Sequence, residues 1–158
     1  MTVLAPLDDT AWDDYRPALL ARHAEQNIAA GLWPPASALS QAAAELGLLL
    51  PLGPATPGHF LFRILAAEGA PALGWLWLGV HQQGGRREGF VYDLLVQARH
   101  RRQGHGLRAL QALEGRAQGL GLTSLGLHVY AQNADALALY RRLGYAVISL
   151  NLHKPLSG

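Results

Sequence analysis

The stretch from residue 89 to residue 119 constrains the fold of this chain most, because it joins a strand to a helix through a turn with two glycines. Residues 89–97 are predicted to form a buried strand, since they end in the apolar run Leu94-Leu95-Val96. The turn Arg101-Arg102-Gln103-Gly104-His105-Gly106 follows, and residues 104–119 are predicted to form the helix. The first N–H groups of a helix bind anions, and glycine lets the backbone approach a phosphate closely. The pattern predicts a phosphate-binding turn, with an ordinary helix entry as the alternative.

A second helix, at residues 133–143, carries one polar aromatic residue on its inner face. Asn133 is a good N-cap, and Gly144 is typical of the position after a helix. The inner stripe follows the helical repeat and consists of Ala136, Leu139, Tyr140 and Leu143. Tyr140 is therefore a candidate functional residue, although core packing of Tyr140 and plain capping by Asn133 explain the same pattern.

The rest of the pattern predicts a mixed sheet. Two helices come first, at residues 8–31 and 37–49, and are followed by a loop at 51–58. The other strands are predicted at residues 59–65, 72–80, 123–130 and 145–153, with a hairpin turn at 82–87. In the strand at 72–80, Trp75 and Trp77 share one face and Leu76 and Leu78 the other. This order predicts a mixed α/β fold with an antiparallel first part and a crossover second part.

The composition limits the class of protein. A chain of 158 residues, half of them hydrophobic, is expected to form a single domain over residues 1–158. The absence of cysteine excludes a disulfide scaffold, a cysteine-ligated zinc site and a cysteine nucleophile. The seven histidines lack metal-ligand spacing, so no metal is expected. No signal peptide is recognisable, and the apolar run at 71–80 is too short to span a bilayer. We therefore expect a cytoplasmic protein without a membrane partner.

Basic residues are concentrated beside the glycine turn, although the formal net charge is only +2. Those that fall within ten residues are Arg99, His100, Arg101, Arg102, His105 and Arg108. Such a cluster attracts an anion, and a solvated charged face or a nucleic-acid surface would have the same composition. The cluster has no interleaved aromatic residues on which bases could stack, so no nucleic-acid partner is expected.

Together, the two segments resemble the acyl-CoA site of the GCN5-related N-acetyltransferase (GNAT) family. The family's Arg/Gln-x-x-Gly-x-Gly/Ala turn is matched by Arg101, Gly104 and Gly106. Its second motif is matched by Asn133, Ala136, Leu139, Tyr140, Gly144 and Tyr145. The resemblance implies a twisted mixed sheet flanked by helices, in which the strands at 89–97 and 123–130 splay apart to form the acyl-CoA cleft.

The resemblance further implies that acetyl-CoA is the cosubstrate and that a primary amine is the acceptor. The residues that it places against the cosubstrate are Leu95, Val96, Arg101, Arg102, Gln103, Gly104, His105, Gly106, Leu107, Asn133 and Tyr140. Tyr140 is the expected general acid toward the leaving thiolate. The acceptor is a small-molecule amine or a peptide or protein amine, and the family leaves room for a homodimer through the final strand or the tryptophans. The alternative function is a non-catalytic acyl-CoA-binding regulatory module on the same fold.

The general base that would deprotonate the amine belongs to neither motif. Asp93, in the strand leading to the turn, is the first candidate, and Glu88 and His128 follow. Each also has a structural explanation: Asp93 as a hydrogen-bonding residue, Glu88 as a turn charge and His128 as a core histidine. Leu95 occupies a position at which some relatives carry a glutamate, and it cannot act as a base.

Overall fold

The computed structural model describes residues 2–156, which form one mixed sheet with helices on both faces. The strands are β1 (Val3–Pro6), β2 (His59–Leu65), β3 (Ala72–Gln83), β4 (Arg86–Val96) and β5 (Ser124–Leu127). The helices are α1 (Asp9–Ala29), α2 (Pro35–Leu49), α3 (His105–Gly119) and α4 (Ala134–Arg142), with short 3₁₀ turns at Gly53–Ala55 and Ala98–His100. The strand order is β1-β2-β3-β4-β5. The first four strands pair antiparallel and β5 is parallel to β4, which confirms the predicted fold class.

Alternation along β3 divides the core into two layers. Trp75 and Trp77 are buried against α1 and α2, in the layer that also holds Tyr15. Leu76 and Leu78 are buried on the opposite face, in the layer that holds the inner stripe of α3. The two faces of β3 are therefore those predicted from its period-two pattern.

The structure differs from the sequence-based prediction at both ends of the chain and in the length of β5. The four-residue strand β1 was not predicted, because so short a segment carries too little pattern; it pairs with β2. The predicted final strand at 145–153 is wrong: residues 145–156 contain neither strand nor helix. The strand predicted at 123–130 is also shorter, since β5 ends at Leu127.

The hairpin between β3 and β4 is tighter than the predicted turn. Its two central residues, Gly84 and Gly85, have φ values of 58° and 79°. This left-handed region is costly for other residues, and it suits a two-residue hairpin turn. Both strands are consequently longer than expected, and β4 begins at Arg86.

β4 carries a bulge and a free segment, and both matter for the site. In its register with β3, Asp93 lies opposite Trp77 and Val91 opposite Leu78, so Tyr92 is the extra residue. As a result Val91 belongs to the α3 layer, whereas Tyr92 packs against the α1 layer. Pairing with β5 is confined to residues 88–91, so among residues 2–156 no strand pairs with residues 92–96 on that side. The two strands thus diverge where the sequence placed the cleft.

Candidate functional site

The glycine turn folds back toward the end of β4 through two left-handed residues. Arg102 has a φ of 60° and Gly104 a φ of 79°, and Gly104 is the N-cap of α3. A Cβ added to Gly104 would lie 2.7 Å from Nη1 of Arg108, a contact that its flexible side chain would have to yield. The requirement for glycine at 104 is therefore chiefly conformational. The turn leaves the first N–H groups of α3 beside the free end of β4.

The first turn of α3 meets α4 and β4 at Gly106. A Cβ at this position would lie 3.5 Å from Cδ2 of Leu139 in α4 and 4.0 Å from Cδ2 of Leu94 in β4. The two sequence segments, 27 positions apart between Gly106 and Asn133, are therefore neighbours in space. The structure brings together the turn and the helix that carries Tyr140, at the point where β4 and β5 separate.

The arginines of the basic cluster are tied to the turn itself. Nε of Arg101 donates to the carbonyl oxygen of Val96 at 2.9 Å, and Nη2 of Arg108 donates to that of Gln103 at 2.7 Å. Nη2 of Arg102 lies 3.3 Å from a carboxylate oxygen of Asp135 in α4. These contacts hold positive charge close to the helix start rather than spreading it over a surface.

His105, the first residue of α3, carries little charge of its own at neutral pH. Its Nδ1 lies 3.1 Å from Nη2 of Arg108. Desolvation, together with the nearby Arg108 and His100, lowers the pKa of His105. The neutral ring can accept a hydrogen bond from the guanidinium, so the arginine is the cation at this position.

The ends of α4 are fixed in the way its sequence predicts. The side-chain oxygen of Asn133 accepts a hydrogen bond from the N–H of Ala136 at 3.2 Å, which confirms the N-cap. Gly144, with a φ of 93°, follows the helix, and the N–H of Tyr145 donates to the carbonyl oxygen of Tyr140 at 3.0 Å. In this structure Asn133 therefore serves the helix end, while α4 presents Tyr140 from its last turn.

Tyr140 is half-buried beside the cleft. Its ring lies 5.9 Å from that of Tyr145, centroid to centroid. Burial raises the pKa of the Tyr140 hydroxyl, and the positive charge of Arg22 acts in the opposite direction. The hydroxyl is thus held in its protonated form, with a cation available to stabilise the phenolate.

Arg22 belongs to a polar cluster between α1 and β4 that sequence reasoning missed. Asp93 is 8% exposed; its carboxylate forms an ion pair with Arg22 and accepts a hydrogen bond from the hydroxyl of Tyr15. Nη1 of Arg22 also donates to the carbonyl oxygen of Leu94 at 3.1 Å. Burial lowers the pKa of Arg22 and raises that of Tyr15. The sequence did contain a signal for this cluster: Tyr15 and Arg22 are seven residues apart, so they lie two turns apart on the same face of a helix.

The other candidate bases lie away from the turn or at the surface. Glu88 is at the opposite end of β4 from Val96, about 26 Å away at the usual rise of about 3.3 Å per strand residue. Its carboxylate lies 3.8 Å from Arg86. His128 is exposed, just beyond β5, and its ring packs edge-on against Tyr130 at 4.8 Å. His128 is therefore not a core histidine.

A cavity of about 120 Å³ lies on the α1 and α2 side of the sheet. Asp93 and Arg22 line it, together with Tyr92 and the pair formed by His23 and Glu45, whose Nε2 and Oε2 are 2.8 Å apart. The cavity reaches the same carboxylate that the polar cluster holds, from the face opposite α3. Within residues 2–156 no group of histidine and acidic side chains could hold a metal, and no helix is long and apolar enough to cross a membrane.

Comparisons with known proteins agree with this architecture. The model of the acetyltransferase (GNAT) family matches residues 12–145. YdgE of Bacillus subtilis (strain 168), described as an uncharacterized N-acetyltransferase, is 30% identical over 153 residues, which is 97% of each chain. YycN of the same organism, described likewise, is 31% identical over 157 residues, 99% of this chain and 100% of YycN.

Solved structures extend the likeness to three dimensions. The crystal structure of YycN has a TM-score of 0.94 at 30% identity, with 100% of both chains covered. An acetyl transferase from Pyrococcus furiosus has a TM-score of 0.73 at 20% identity, over 99% of this chain and 100% of its own, and shows similarity of fold alone. The fold and the match to the family model define an acetyltransferase. The chain belongs to the GNAT family and is an N-acetyltransferase.

Proposed function

We propose that this enzyme transfers the acetyl group of acetyl-CoA to a primary amine. The observation that carries the proposal is the position of α4: its Leu139 lies against Gly106 of the glycine turn, where β4 and β5 diverge, and the following residue, Tyr140, is half-buried. An acid in α4 can protonate the leaving thiolate of a coenzyme A molecule whose pyrophosphate is bound by the turn. A purely binding module would need the turn but not the acid.

The residues of the turn fit the pyrophosphate of coenzyme A. The unpartnered N–H groups at the start of α3 and the arginines fixed around them supply donors and positive charge for an anion. Gly106 leaves open the space beside Leu139 and Leu94 that a larger side chain would fill. The residues that would hold the cosubstrate are those expected from the sequence, from Arg101 to Leu107, with Leu95 and Val96 offering backbone groups from the free segment of β4 and Asn133 lying nearby. When bound, acetyl-CoA supplies an activated acyl group and a thiolate leaving group.

Tyr140 is proposed as the general acid. Its raised pKa keeps the proton on Oη at neutral pH, so the phenol is ready to donate. The positive charge of Arg22 lowers the pKa of Tyr140, so it favours the phenolate that remains after proton transfer. The pair thereby combines a protonated ground state with a stabilised product of proton transfer.

The neighbours of Asp93 already occupy its carboxylate, which disfavours a role as general base. Its carboxylate is shared by Arg22 and Tyr15, so deprotonating an amine would require it to give up part of that ion pair. We propose instead that Asp93 is a positioning residue that holds Arg22 beside β4 and Tyr140. Its role as general base, expected from the sequence, stays a prediction.

The acceptor is proposed to enter from the α1 and α2 side. The 120 Å³ cavity there is small, and Glu45, which is half-exposed, contributes a carboxylate able to attract a cationic amine. These features favour a compact amine over a folded protein surface. A peptide amine that inserts only its terminal group is the second possibility. The cytoplasmic location stays a prediction.

The basic cluster offers less to nucleic acid than its sequence indicated. Arg101, Arg102 and Arg108 are engaged by Val96, Asp135 and Gln103 around the turn. A nucleic-acid surface would leave such side chains free to track a phosphate backbone. Their arrangement favours one discrete anion, as coenzyme A provides.

Calorimetric titration with acetyl-CoA tests the binding half of the proposal. We expect 1:1 binding that is abolished by Gly106→Trp, because the indole fills the space beside Leu139 and Leu94. Gly115→Trp is the matched control, since it lies in the same helix and nothing surrounds its Cβ position within 4 Å. Absence of acyl-CoA binding by the wild-type protein would remove both the enzyme and the regulatory-module hypotheses. A screen of amines with detection of released thiol then separates those two, because a binding module would bind acetyl-CoA without turnover.

A further inference from the structure

The sheet face that packs against α1 and α2 carries aromatic rings that the two helices bury only in part. Trp77 in β3 is buried in the layer of these helices, but His81, further along β3 on the same face, is exposed. Phe90 and Tyr92 in β4 and His59 in β2 are half-buried. We call His59, His81, Phe90 and Tyr92 the ring patch. Apolar surface that stays in water on a folded domain and is rimmed by polar groups is typical of a ligand-binding groove.

The rings of the patch hold one another in place. Tyr92 stacks on Trp77, with ring centroids 4.6 Å apart and an angle of 20° between the planes, and Phe90 packs edge-on against Tyr92 at 4.8 Å. The hydroxyl of Tyr92 lies 3.0 Å from Nε2 of His81, and the ring of His59 lies 5.6 Å from that of Tyr92. Because these side chains are already ordered, little conformational entropy is lost when a ligand packs on them.

Two glycines flank Phe90 on this face of the sheet. In the register of the strands, Gly79 of β3 lies opposite Phe90 on one side and Gly126 of β5 on the other. A Cβ added to Gly79 would clash with the ring of Tyr92, so that ring covers the first glycine. A Cβ added to Gly126 would be in ordinary contact with Phe90, 3.6 Å from its Cδ2. On the β5 side the ring of Phe90 therefore borders backbone that carries no side chain.

The patch adjoins the cavity from which the acceptor is proposed to enter. Trp77 and Tyr92 both line that cavity, together with Asp93. Tyr92 is also the first residue of β4 beyond the segment that pairs with β5, since that pairing ends at Val91. At about 3.3 Å per strand residue, Phe90 lies about 10 Å along β4 from Asp93. An acceptor whose amine occupies the cavity would extend over the ring patch.

The charges beside the patch favour an aromatic ring over a cation as the group bound there. Glu88 lies opposite His81 in the register, and Arg86 is 3.8 Å from its carboxylate, which offsets the negative charge. Nδ1 of His59 accepts a hydrogen bond from Trp77, so this imidazole is neutral. The patch thus offers rings more than charge, and aromatic rings attract one another in edge-on or offset-stacked arrangements.

We propose that the acceptor is an arylalkylamine whose aromatic ring packs on the ring patch, against Phe90 and Tyr92, while its amine reaches the cavity. The separation of about 10 Å between Phe90 and Asp93 requires a chain of several carbon atoms between the ring and the amine. The inference rests on the proposed function and names the class of acceptor. Phe90 and Tyr92 are then residues that determine specificity, and neither takes part in proton transfer.

Steady-state kinetics with matched amines test the proposal. Phenylbutylamine and cyclohexylbutylamine have the same chain and similar bulk, but only the first has an aromatic ring. We expect kcat/KM to be about threefold to tenfold higher for phenylbutylamine, the usual effect of an aromatic contact beyond apolar burial. Equal values for the two amines would overturn the proposal, and so would a preference for spermidine over both, which would indicate a site for cations.

Phe90→Leu connects the preference to the patch. Leucine keeps an apolar side chain and removes the ring, so the ratio of the two kcat/KM values should fall close to one. Phe60→Leu is the matched control, because Phe60 is also a half-buried phenylalanine of the sheet but packs in the layer of α3. This control should keep the wild-type ratio, and a wild-type ratio in Phe90→Leu would overturn the proposal. Thiol release without a preference contradicts the acceptor class alone, whereas no release with any amine contradicts the proposed function and this inference with it.

Discussion

At the scale of single residues, Tyr140 and Tyr145 form a matched pair in one short stretch of chain. Both hydroxyls have a raised pKa because of burial, and that of Tyr145 rises to about 12. The hydroxyl of Tyr145 is buried and has no hydrogen-bond partner among residues 2–156, whereas the pKa of Tyr140 is lowered by the positive charge of Arg22. The two residues therefore differ in what their hydroxyl groups can do, although their rings are alike.

The pair gives a direct test of the proposed acid. Tyr140→Phe should lower kcat by about 10²–10⁴-fold, the usual contribution of general acid catalysis, while acetyl-CoA binding persists. Tyr145→Phe should leave kcat within a few-fold, because its hydroxyl donates to nothing within reach. Steady-state kinetics with a common amine and calorimetry check both statements. Equal kcat in the wild type and Tyr140→Phe would remove Tyr140 from the mechanism.

Arg22 is expected to affect the reaction rate through its charge beside Tyr140. It is also expected to affect the stability of the fold through its ion pair with Asp93. Arg22→Met should lower kcat/KM by about tenfold, equivalent to about 1.4 kcal/mol, and should move the alkaline limb of the rate profile to higher pH. The shift follows because the cation that lowers the Tyr140 pKa is gone. Arg16→Met, at an exposed site of the same helix, is the control. A lower melting temperature with an unchanged pH profile would mean that Arg22 is purely structural.

At the scale of elements, one glycine in a strand is required by its close contacts, whereas another glycine in a helix is not. Gly74 in β3 lies so close to β4 that an added Cβ would clash with the carbonyl oxygen of Leu95. Gly115 in the middle of α3 has nothing within 4 Å of its Cβ position. The first glycine is required by strand contact, and the second only weakens its helix.

Alanine at these positions should change stability in opposite directions. Gly115→Ala should raise the free energy of unfolding by about 0.5–1 kcal/mol, because alanine has the higher helix propensity. Gly74→Ala should lower it by more than about 2 kcal/mol, since the backbone of β4 must shift. Denaturant titrations measure both. Similar effects of the two substitutions would contradict the contacts described between β3 and β4.

The strand β2 begins with a histidine that must be neutral in the folded protein. Nε1 of Trp77 donates to Nδ1 of His59 at 3.0 Å, which requires an unprotonated nitrogen. Desolvation, with a smaller effect of His81, lowers the pKa of His59. Its unfolded value is about 6.5, so its contribution to stability is complete above that pH and is lost as the pH falls toward the folded value.

Thermal melts should reveal this loss. Between pH 7 and about pH 5 the wild type should lose more stability than His59→Gln, because the unfolded wild-type chain takes up a proton that the folded chain resists. His128→Gln, at an exposed position, should follow the wild-type curve. If stability changed with pH in the same way in all three proteins, the pKa of His59 would be the same in the folded and the unfolded protein.

At the scale of the whole molecule, the homodimer that the family resemblance leaves room for would make stability depend on protein concentration. An obligate dimer gains stability by mass action, so the melting temperature of the wild type should rise with protein concentration. Leu150→Asp puts a charge on an aliphatic residue that is 80% exposed in the predicted final strand, and this variant should melt at the same temperature at all concentrations. Differential scanning calorimetry over a hundredfold concentration range measures the difference. A wild-type melting temperature that does not change with concentration would argue for a monomer.

The sequence by itself determined the class of fold and the place of the glycine turn. The glycines at 104 and 106, the cap at Asn133 and the period-two pattern of β3 are local features, and local conformational preference is enough to predict what they form. The resemblance to the GNAT family rested on those same residues. The comparisons confirm the family, whereas the roles of the individual residues remain proposals.

Only the tertiary structure decided which groups surround Asp93 and which conformation residues 145–156 adopt. Strict alternation would place Val91, Asp93 and Leu95 on one face, but the bulge at Tyr92 moves Asp93 and Leu95 to the side of α1. Arg22 and Tyr15 meet Asp93 across more than 70 residues of chain, a contact that no local pattern encodes. Residues 145–153 have the alternating pattern of a strand but do not form one. Hydrogen bonding in a sheet depends on a neighbouring strand, which the sequence of the segment itself does not supply.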